Sequence, residues 1–450
     1  MDIAITFIII FVCLMLSVYK GIFIFYPLFL GLVLFLVISA RRGFKLNGLL
    51  AMAYRGAKKS LLIVNILLLI GAITAVWRAS GTVSYIVYYG IRAINPHYFI
   101  LAAFILSSLV SFLLGTSFGT VGTVGVILMV MVKSGNANIN AVAGAIIAGA
   151  YFGDRCSPMS SSANLVATVT GTELYKNLKN MFKTSAVPFV LALGFYTYIS
   201  QKYPLISDNS RIGQEIINNF NISFVVIIPA LIILILAAFK VDVKLSMLIS
   251  VISAAAIGVI WQHQSVMEML KYTVFGYTMP DGGFLADIMK GGGVVSMLKV
   301  MLIILTSSAY SGIFEGTGLL KELESGILRF GRRFGVFFTT IVVSIASASF
   351  GCSQTLAIML TYQLVKNMYA GENKDDYELV VDIENTVIVI SALIPWNIAA
   401  AIPAAALSAN AGYIAYAGYL YLLPLVNWIG KYVEKLITKR NIEKSSSVEV

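Results

Sequence analysis

The chain has 450 residues, of which 59% are hydrophobic and 12% are charged, with a formal net charge of +11. Soluble globular proteins carry about 25% charged residues, so this composition excludes a soluble enzyme and indicates a polytopic membrane protein. The basic residues lie in short loops between apolar stretches, a pattern typical of membrane proteins rather than of a nucleic-acid-binding surface. Three cysteines, at positions 13, 156 and 352, predict neither a disulfide framework nor a metal site.

Twelve apolar stretches predict helices that cross about 30 Å of hydrocarbon. The first is retained as a span, because the N-terminus lacks the basic region and cleavage site of a signal peptide. The predicted spans are 3–19, 22–40, 60–79, 98–114, 138–152, 184–200, 221–239, 244–261, 297–314, 336–350, 379–394 and 412–430. Half-helices, re-entrant hairpins or interfacial helices are expected at 82–94, 115–133, 158–171, 319–332, 352–369 and 396–409.

Charge asymmetry between the loops predicts the orientation of the chain. Residues 41–59 hold six basic residues and no acid, and residues 431–444 hold five basic residues and two acids. Both segments should be cytoplasmic, and so should both termini. Residues 263–292 hold two lysines and three acids and should be external.

Short motifs recur in the two halves of the chain in the same order. The aligned segments are 77–81 with 314–318, 115–117 with 351–353, and 157–159 with 391–393, at offsets of 237, 236 and 234. Together with the reversed charge bias, this order predicts two inverted-topology repeats, at about 20–200 and 245–430. The expected fold is all-α, with broken helices and re-entrant hairpins, in halves 1–200 and 221–450 joined by 201–220.

The first broken segment is the leading candidate site. An apolar run leads to Asp154 and is broken at Pro158, which lacks a backbone donor. Asp154 and Ser157 should share one face if the helix continues to Pro158. The oxygen-bearing side chains beyond the break, suited to a dehydrated Na+, are Ser160, Ser161, Ser162 and Asn164.

Asp154 is expected to bind Na+ or carry a proton, because an ionisable residue inside a membrane is a functional candidate by default. Burial favours the neutral carboxyl group and a bound cation favours the ionised one. Competition of H+ and Na+ for this carboxylate is the simplest exchange mechanism. In the alternative interpretation, Asp154 pairs with the adjacent Arg155 at a membrane edge, and the serines only pack against another helix.

The second half contains a corresponding polar segment that is broken at Pro395. Glu384 and Ser391 are seven residues apart and share a face if the segment is helical. Glu384 is predicted to be a buried functional acid, or alternatively the solvated start of a helix. The candidate residues of this segment are Asp382, Glu384, Asn385, Ser391, Trp396 and Asn397.

Two hydroxyl-rich turns and one charge pair complete the candidates. The turns, 115–120 and 351–355, suit either close backbone approach to a ligand or helix packing through small residues. Their candidate side chains are Thr116, Ser117, Thr120 and Ser353. Arg78 and Glu315 occupy equivalent repeat positions and could pair as a gate, or each could end its own span at the water surface.

Many of these segments also resemble a known family. They are 69–72 (LIGA), 79–82 (ASGT), 88–90 (YYG), 115–125 (GTSFGTVGTVG), 144–154, 157–158, 164–165, 171–172 and 393–397 (LIPWN). On these residues the chain resembles the NhaC family of bacterial Na+/H+ antiporters, within a superfamily of inverted-repeat carriers. The resemblance implies a cytoplasmic-membrane location, Na+ and H+ as the coupled ions, and Asp154 as a leading site residue.

The chain departs from the family pattern at two acidic positions. Where the family is expected to read SPLSDTTN, residues 157–164 read SPMSSSAN, so Ser161 replaces an acid. Where the family has adjacent Glu and Asp, this chain has Glu384 and Asn385. Fewer carboxylates should change the number of cations bound or make room for an organic anion.

Two functions from different classes therefore remain open. In the first, a Na+/H+ antiporter uses Asp154 and Glu384 to bind the two ions alternately. In the second, a Na+- or H+-coupled carrier holds a small organic acid or amino acid through Ser160 to Ser162, Asn164, Trp396 and Asn397. A channel is disfavoured by the paired breaks. No nucleotide-binding, catalytic or metal-ligand motif is present, so we expect no enzyme activity and no cofactor besides the coupling ions. The chain could also form a homodimer.

Overall fold

The computed structural model describes residues 2–206, 209–279, 283–318, 334–372 and 374–446. Regular structure in these ranges is helical, and the one β contact there is an isolated antiparallel bridge between Tyr277 and Gly291. The prediction of an all-α polytopic protein is confirmed. The predicted segment 319–332 lies outside the described residues.

The N-terminal half is a series of helices joined by short connections, with a π-helical turn at Val121–Gly125 between the seventh and the eighth. The helices are α1 (Asp2–Tyr19), α2 (Phe25–Arg41), α3 (Leu46–Lys59), α4 (Leu61–Ala79), α5 (Thr82–Ala93), α6 (Phe99–Leu114), α7 (Ser117–Thr120), α8 (Val126–Lys133), α9 (Ile139–Cys156), α10 (Ser161–Thr170) and α11 (Leu174–Lys202).

The C-terminal half continues in the same way. Its described helices are α12 (Asn209–Asn219), α13 (Ile228–Ala238), α14 (Val243–Ile260), α15 (Val266–Phe275), α16 (Phe284–Met289), α17 (Leu298–Thr317), α18 (Val336–Gly351), α19 (Gln354–Gly371), α20 (Asp376–Ser391), α21 (Ile398–Ala406) and α22 (Gly418–Ser446).

All twelve predicted spans fall on helices. By length and composition, four described helical stretches can cross a membrane: Pro96–Leu114, Leu174–Lys202, Val243–Ile260 and Val294–Thr317. The number rises to six if two bent pairs, α3 with α4 and the 212–238 segment, each count as one span. That every one of the twelve crosses the bilayer stays a prediction.

Polar residues fix where several of these helices begin. Asn138 accepts hydrogen bonds from the backbone N–H groups of Asn140 and Ala141 at the start of α9. Ser160 and Asn397 do the same for α10 and α21. Such caps satisfy N–H groups that have no partner within the helix.

The order of elements repeats along the chain. Corresponding helices begin at residues 99 and 336, 117 and 354, 139 and 376, and 161 and 398. The helix starts are separated by 237 residues in all four cases. Two of the motif alignments made from the sequence had offsets of 236 and 234, so they are displaced by one and three residues from the structural correspondence. The inverted orientation of the two halves stays a prediction.

The core of the first half depends on close contact between α6 and α9. A Cβ atom added at Gly149 would lie 2.4 Å from the carbonyl oxygen of Phe104, and one at Gly153 would lie 2.4 Å from the backbone nitrogen of Phe112. Glycine therefore lets the two backbones touch, as is common where helices associate in membranes. This contact brings the C-terminal ends of α6 and α9 to the break regions described below.

Replacing Gly149 by alanine should lower the free energy of unfolding by about 1–3 kcal/mol, because the new methyl group forces α6 and α9 apart. Gly194→Ala in α11 is the matched control, since nothing lies within 4 Å of a Cβ atom there. The control should be neutral or slightly stabilising, because alanine favours a helix over glycine. Thermal unfolding of the purified protein in detergent measures both, and equal shifts would contradict the packing described.

Candidate functional site

The first helix break lies between α6 and α7. Gly115 adopts a left-handed backbone with φ of 65°, and Thr116 is extended before α7 begins at Ser117. A Cβ atom at Gly115 would lie 2.6 Å from the Cβ atom of Met159. Met159 belongs to the next break, between α9 and α10, so the two breaks of the first half touch each other.

Asp154 lies where these two breaks meet. It belongs to the last turn of α9 and is 6% exposed. Its Oδ2 accepts a hydrogen bond of 3.0 Å from the Ser117 hydroxyl, and its Oδ1 accepts one of 3.0 Å from the Ser160 hydroxyl. The Ser162 hydroxyl lies 2.8 Å from that of Ser160. A carboxylate among hydroxyl oxygens provides the ligand type that hard cations prefer.

Ser157 does not share a helical face with Asp154, because the helix does not continue to Pro158 as that prediction required. The helix ends at Cys156, and Ser157 has extended backbone angles. Its buried hydroxyl accepts a hydrogen bond from the backbone N–H of Met159 and so stabilises the turn. Ser117, from the neighbouring break, occupies the position beside Asp154 that we expected Ser157 to take.

The other candidates of the first half divide into buried and exposed groups. Thr120 is buried and donates to the backbone carbonyl of Thr116, which is half-buried. Ser161 and Asn164 are exposed on α10, and the Asn164 amide donates to the carbonyl of Ser160. The structure therefore brings Ser117 and Ser160 to Asp154 directly, with Ser162 one hydrogen bond further away.

The second half contains a matching pair of touching breaks. Cys352 adopts the left-handed backbone, with φ of 53°, between α18 and α19. The indole N–H of Trp396 donates to the carbonyl of Ser349 at 2.8 Å, and the Asn397 amide donates to that of Ala348 at 2.8 Å. Both candidate side chains are thus engaged with backbone groups that the breaks release.

Ser391 and Ser353 also have local roles here. The Ser391 hydroxyl donates to the carbonyl of Val387 in its own helix, and half-buried Ser353 is the N-cap residue of α19. Neither hydroxyl is hydrogen-bonded to the Glu384 carboxyl group within the described residues, although Glu384 and Ser391 were expected to share a face. Their predicted part in binding stays a prediction.

Helix α9 joins the two pairs of breaks. The hydroxyl of Tyr151, one turn before Asp154, donates to the carbonyl of Ala399 in α21 at 2.7 Å. Arg155 donates from Nε to the backbone carbonyl of Glu384 in α20 at 3.1 Å. Asp154 is therefore tied through its neighbours to both segments of the helix that is broken between α20 and α21.

Arg155 is the main residue that our sequence analysis missed. Its side chain is fully buried and donates to Ser185, Thr184 and the amide oxygen of Asn385. The alternative in which it pairs with Asp154 at a membrane edge does not agree with this placement. Consecutive side chains on a helix point about 100° apart. This spacing could have indicated that Arg155 and Asp154 face different neighbouring helices.

The two acids of α20 have different surroundings. Asp382 is 1% exposed and accepts from the Tyr369 hydroxyl at 2.7 Å and from Lys431 at 2.5 Å. Glu384 is fully buried, and within the described part of the chain neither carboxyl oxygen has a hydrogen-bond partner. Glu384 is the ninth residue of α20, so its interpretation as a solvated helix start is wrong.

Arg78 and Glu315 do not form a pair. Glu315 lies 2.7 Å from Lys59, and both side chains are exposed. Arg78 is buried, donates to the carbonyl of Thr74 at 3.2 Å, and lies beside the backbone of Gly291. The alternative in which these two residues pair as a gate is therefore wrong, because Glu315 pairs with Lys59 and Arg78 is hydrogen-bonded within α4.

Two pairs of touching helix breaks with buried acids in an all-helical apolar chain define a membrane transporter of the secondary active class. The comparisons with known proteins agree, since the profile of the Na+/H+ antiporter family matches residues 2–163 and 149–427. The chain belongs to the Na+/H+ antiporter family.

Individual relatives cover most of the chain. It is 27% identical over 365 residues to an uncharacterized Na+/H+ antiporter of Haemophilus influenzae, covering 78% of each chain. It is 28% identical over 380 residues to the malate-2H+/Na+-lactate antiporter of Bacillus subtilis, covering 82% of this chain and 80% of the relative. It is 25% identical over 417 residues to the Na+/H+ antiporter NhaC of Bacillus subtilis, covering 91% of this chain and 92% of the relative.

Replacing Asn397 by alanine should destabilise the second pair of breaks. Asn397 caps α21 and also donates to the buried carbonyl of Ala348, whereas Asn410 only caps a short exposed turn. We expect Asn397→Ala to cost about 1–3 kcal/mol more than Asn410→Ala, because it leaves that buried carbonyl without a partner. Thermal unfolding in detergent compares the two variants, and equal losses would contradict a role for the contact across the breaks.

Proposed function

We propose that this protein exchanges Na+ for H+ across the membrane by alternating access, with Asp154 as the carboxylate that binds the cation. The single observation that carries this proposal is the position of Asp154, buried where two helix breaks touch, with a serine hydroxyl on each carboxyl oxygen. Membership of the Na+/H+ antiporter family supports the ions chosen.

The exchange follows from the chemistry of a buried carboxylate. In the ionised state, Asp154 attracts a cation that has lost its water, and the hydroxyls of Ser117 and Ser160 can turn their lone pairs toward it. In the protonated state, the same group is neutral and no longer holds Na+. Because the two ions exclude each other, the site returns across the membrane loaded with one or the other.

The charge pattern supports a location in the cytoplasmic membrane of a bacterium with both termini inside. The basic residues at 41–59 and 431–444 flank apolar helices, and such segments remain on the cytoplasmic side. The relatives that match most of the chain include bacterial antiporters. The ion pair of Lys59 with Glu315 is exposed, as expected for a membrane–water boundary.

A second candidate function is the coupled transport of a small organic acid. The observation that favours it is the 28% identity to a malate-2H+/Na+-lactate antiporter. Exposed Ser161 and Asn164 on α10 would then contact the solute, since the polar atoms of Trp396 and Asn397 are already engaged. A solute carrier would move ions only when the organic acid is supplied.

Asp154→Asn should abolish Na+-driven proton movement, because the amide can neither ionise nor carry the proton. The assay is dissipation of a preset pH gradient in proteoliposomes, followed with a pH-sensitive dye after Na+ is added. Asp376→Asn, an exposed acid in the first turn of α20, is the charge-matched control and should keep the wild-type rate within about twofold.

Two results would overturn the proposal. Undiminished exchange by Asp154→Asn would remove this residue from the mechanism. Dissipation that requires added malate, lactate or an amino acid would replace Na+/H+ antiport by the second function. Thermal shift with each solute, with and without Na+, gives an independent reading, because a ligand stabilises the folded form that binds it.

Acidification should weaken Na+ activation of the wild type. Since one proton displaces one Na+ from Asp154, the apparent KM for Na+ should rise by up to about tenfold per unit fall in pH on the acid side, while the maximal rate at saturating Na+ changes little. The measurement is the initial rate against Na+ concentration at several symmetrical pH values. An apparent KM that stays constant while the maximal rate falls would contradict competition for a shared group.

A further inference from the structure

Few charges are buried in the part of the chain that the structure describes. The buried charged side chains there are Arg78, Asp154, Arg155, Asp382 and Glu384. Asp382 is neutralised by its 2.5 Å ion pair with Lys431. Arg78 donates to the carbonyl of Thr74 in α4 and lies beside Gly291, so it belongs to a different region from the paired breaks. Three charges therefore remain around the candidate site, one basic and two acidic.

Arg155 is a permanent charge that has no carboxylate as a hydrogen-bond partner among the described residues. Its guanidinium donates to hydroxyl, amide, thiol and backbone carbonyl groups, all of which are uncharged. These acceptors are Ser185, Thr184, Asn385, Cys156, Met181 and the main chain of Glu384. A guanidinium keeps its proton in proteins, so this positive charge is present in every state of the transport cycle.

Glu384 lies against α9, because its backbone carbonyl accepts the 3.1 Å hydrogen bond from Arg155 Nε, and its buried carboxyl oxygens have no hydrogen-bond partner within the described residues. Arg155 and Asp154 are the charged groups that act electrostatically on this acid, and the Cys156 thiol is a third titratable neighbour from the same helix. Tyr419 of α22 lies near Arg155, since its hydroxyl is 3.1 Å from that of Ser185, to which Arg155 donates. Asp382, on the same helix as Glu384, is directed to Tyr369 and Lys431 instead.

We propose that Arg155 limits this site to one exchangeable monovalent cation, so that the protein exchanges one H+ for one Na+ without moving net charge. When Asp154 and Glu384 are both ionised, the net charge of these two acids and Arg155 is −1. One bound cation, either Na+ or H+, brings the sum to zero, and a second would leave an uncompensated buried positive charge, which is costly. The loaded site is then neutral in both directions of transport.

This inference rests on the proposed Na+/H+ exchange and adds its stoichiometry. It also assigns to Arg155 a role that does not require contact with the ion, namely charge compensation. Without the positive charge of Arg155, the net charge of the two remaining acids is −2, which favours the binding of two cations. If one acid is removed as well, the net charge returns to −1. The number of charges, rather than the transport rate, is therefore the property that the residue controls.

The test is the null point of exchange in proteoliposomes that contain the full-length protein. A Na+ gradient is opposed by a pH gradient until no net proton movement follows, and the membrane potential is set with K+ and valinomycin. For wild type, a tenfold Na+ ratio should be balanced by about one pH unit, and the balance should not shift when about 59 mV is imposed. A null point that shifts with potential would overturn the inference.

Arg155→Gln should bind two cations in place of one, so the Hill coefficient for Na+ in the initial exchange rate should rise from about 1 toward 2. Arg155→Gln/Glu384→Gln should return the Hill coefficient to about 1, and Arg155→Lys, which keeps the positive charge, should match wild type. A Hill coefficient that stays at about 1 in Arg155→Gln would overturn the role of Arg155. If that variant does not fold, as shown by gel filtration, the wild-type null point still decides the stoichiometry.

The two proposals fail in different ways. If Na+ moves no protons in wild type under any gradient, the proposed exchange itself is wrong. If Na+ moves protons but the null point depends on potential, the exchange stands and the one-for-one stoichiometry is wrong.

Discussion

Backbone groups released at a helix break must find partners within the protein, because hydrocarbon offers none. The rest of this structure depends on that constraint. In each half, two breaks touch. In the second half, Trp396 and Asn397 donate hydrogen bonds from one break to backbone carbonyls at the other, and in the first half Gly115 packs directly against Met159. Polar groups are thereby concentrated in the interior, where Asp154 can be buried and still hydrogen-bonded.

The two halves meet this constraint with different chemistry. In the second half, an indole and an amide donate to backbone carbonyls, so the polar atoms of the breaks are used for structure. In the first half, serine hydroxyls donate to a carboxylate. When a cation binds, such a hydroxyl can rotate so that an oxygen lone pair, rather than its hydrogen, points into the site. This difference explains why the same order of helices gives a candidate ion site at Asp154 and a structural hydrogen-bonded contact at Trp396 and Asn397.

Much of the fold could be predicted from apolar runs and their interruptions. The helices follow the hydrophobic segments, and the breaks follow Pro158, Pro395 and the glycine turns. The partners within the site could not be predicted, because they depend on how separate elements meet. We expected Ser157 rather than Ser117 to lie beside Asp154, because helical spacing relates only residues that are close in sequence. The end of α9 at Cys156 and the approach of α7 to Asp154 depend on the tertiary structure.

The hydrogen bond from Tyr151 to Ala399 constrains how the interior can rearrange. It crosses from one half of the molecule to the other only one helical turn away from Asp154. A displacement of α21 relative to α9 must either break this buried bond or carry the carboxylate along. If the bond persists, α9 and α21 move together as one unit, and the surfaces that slide past each other lie elsewhere in the molecule.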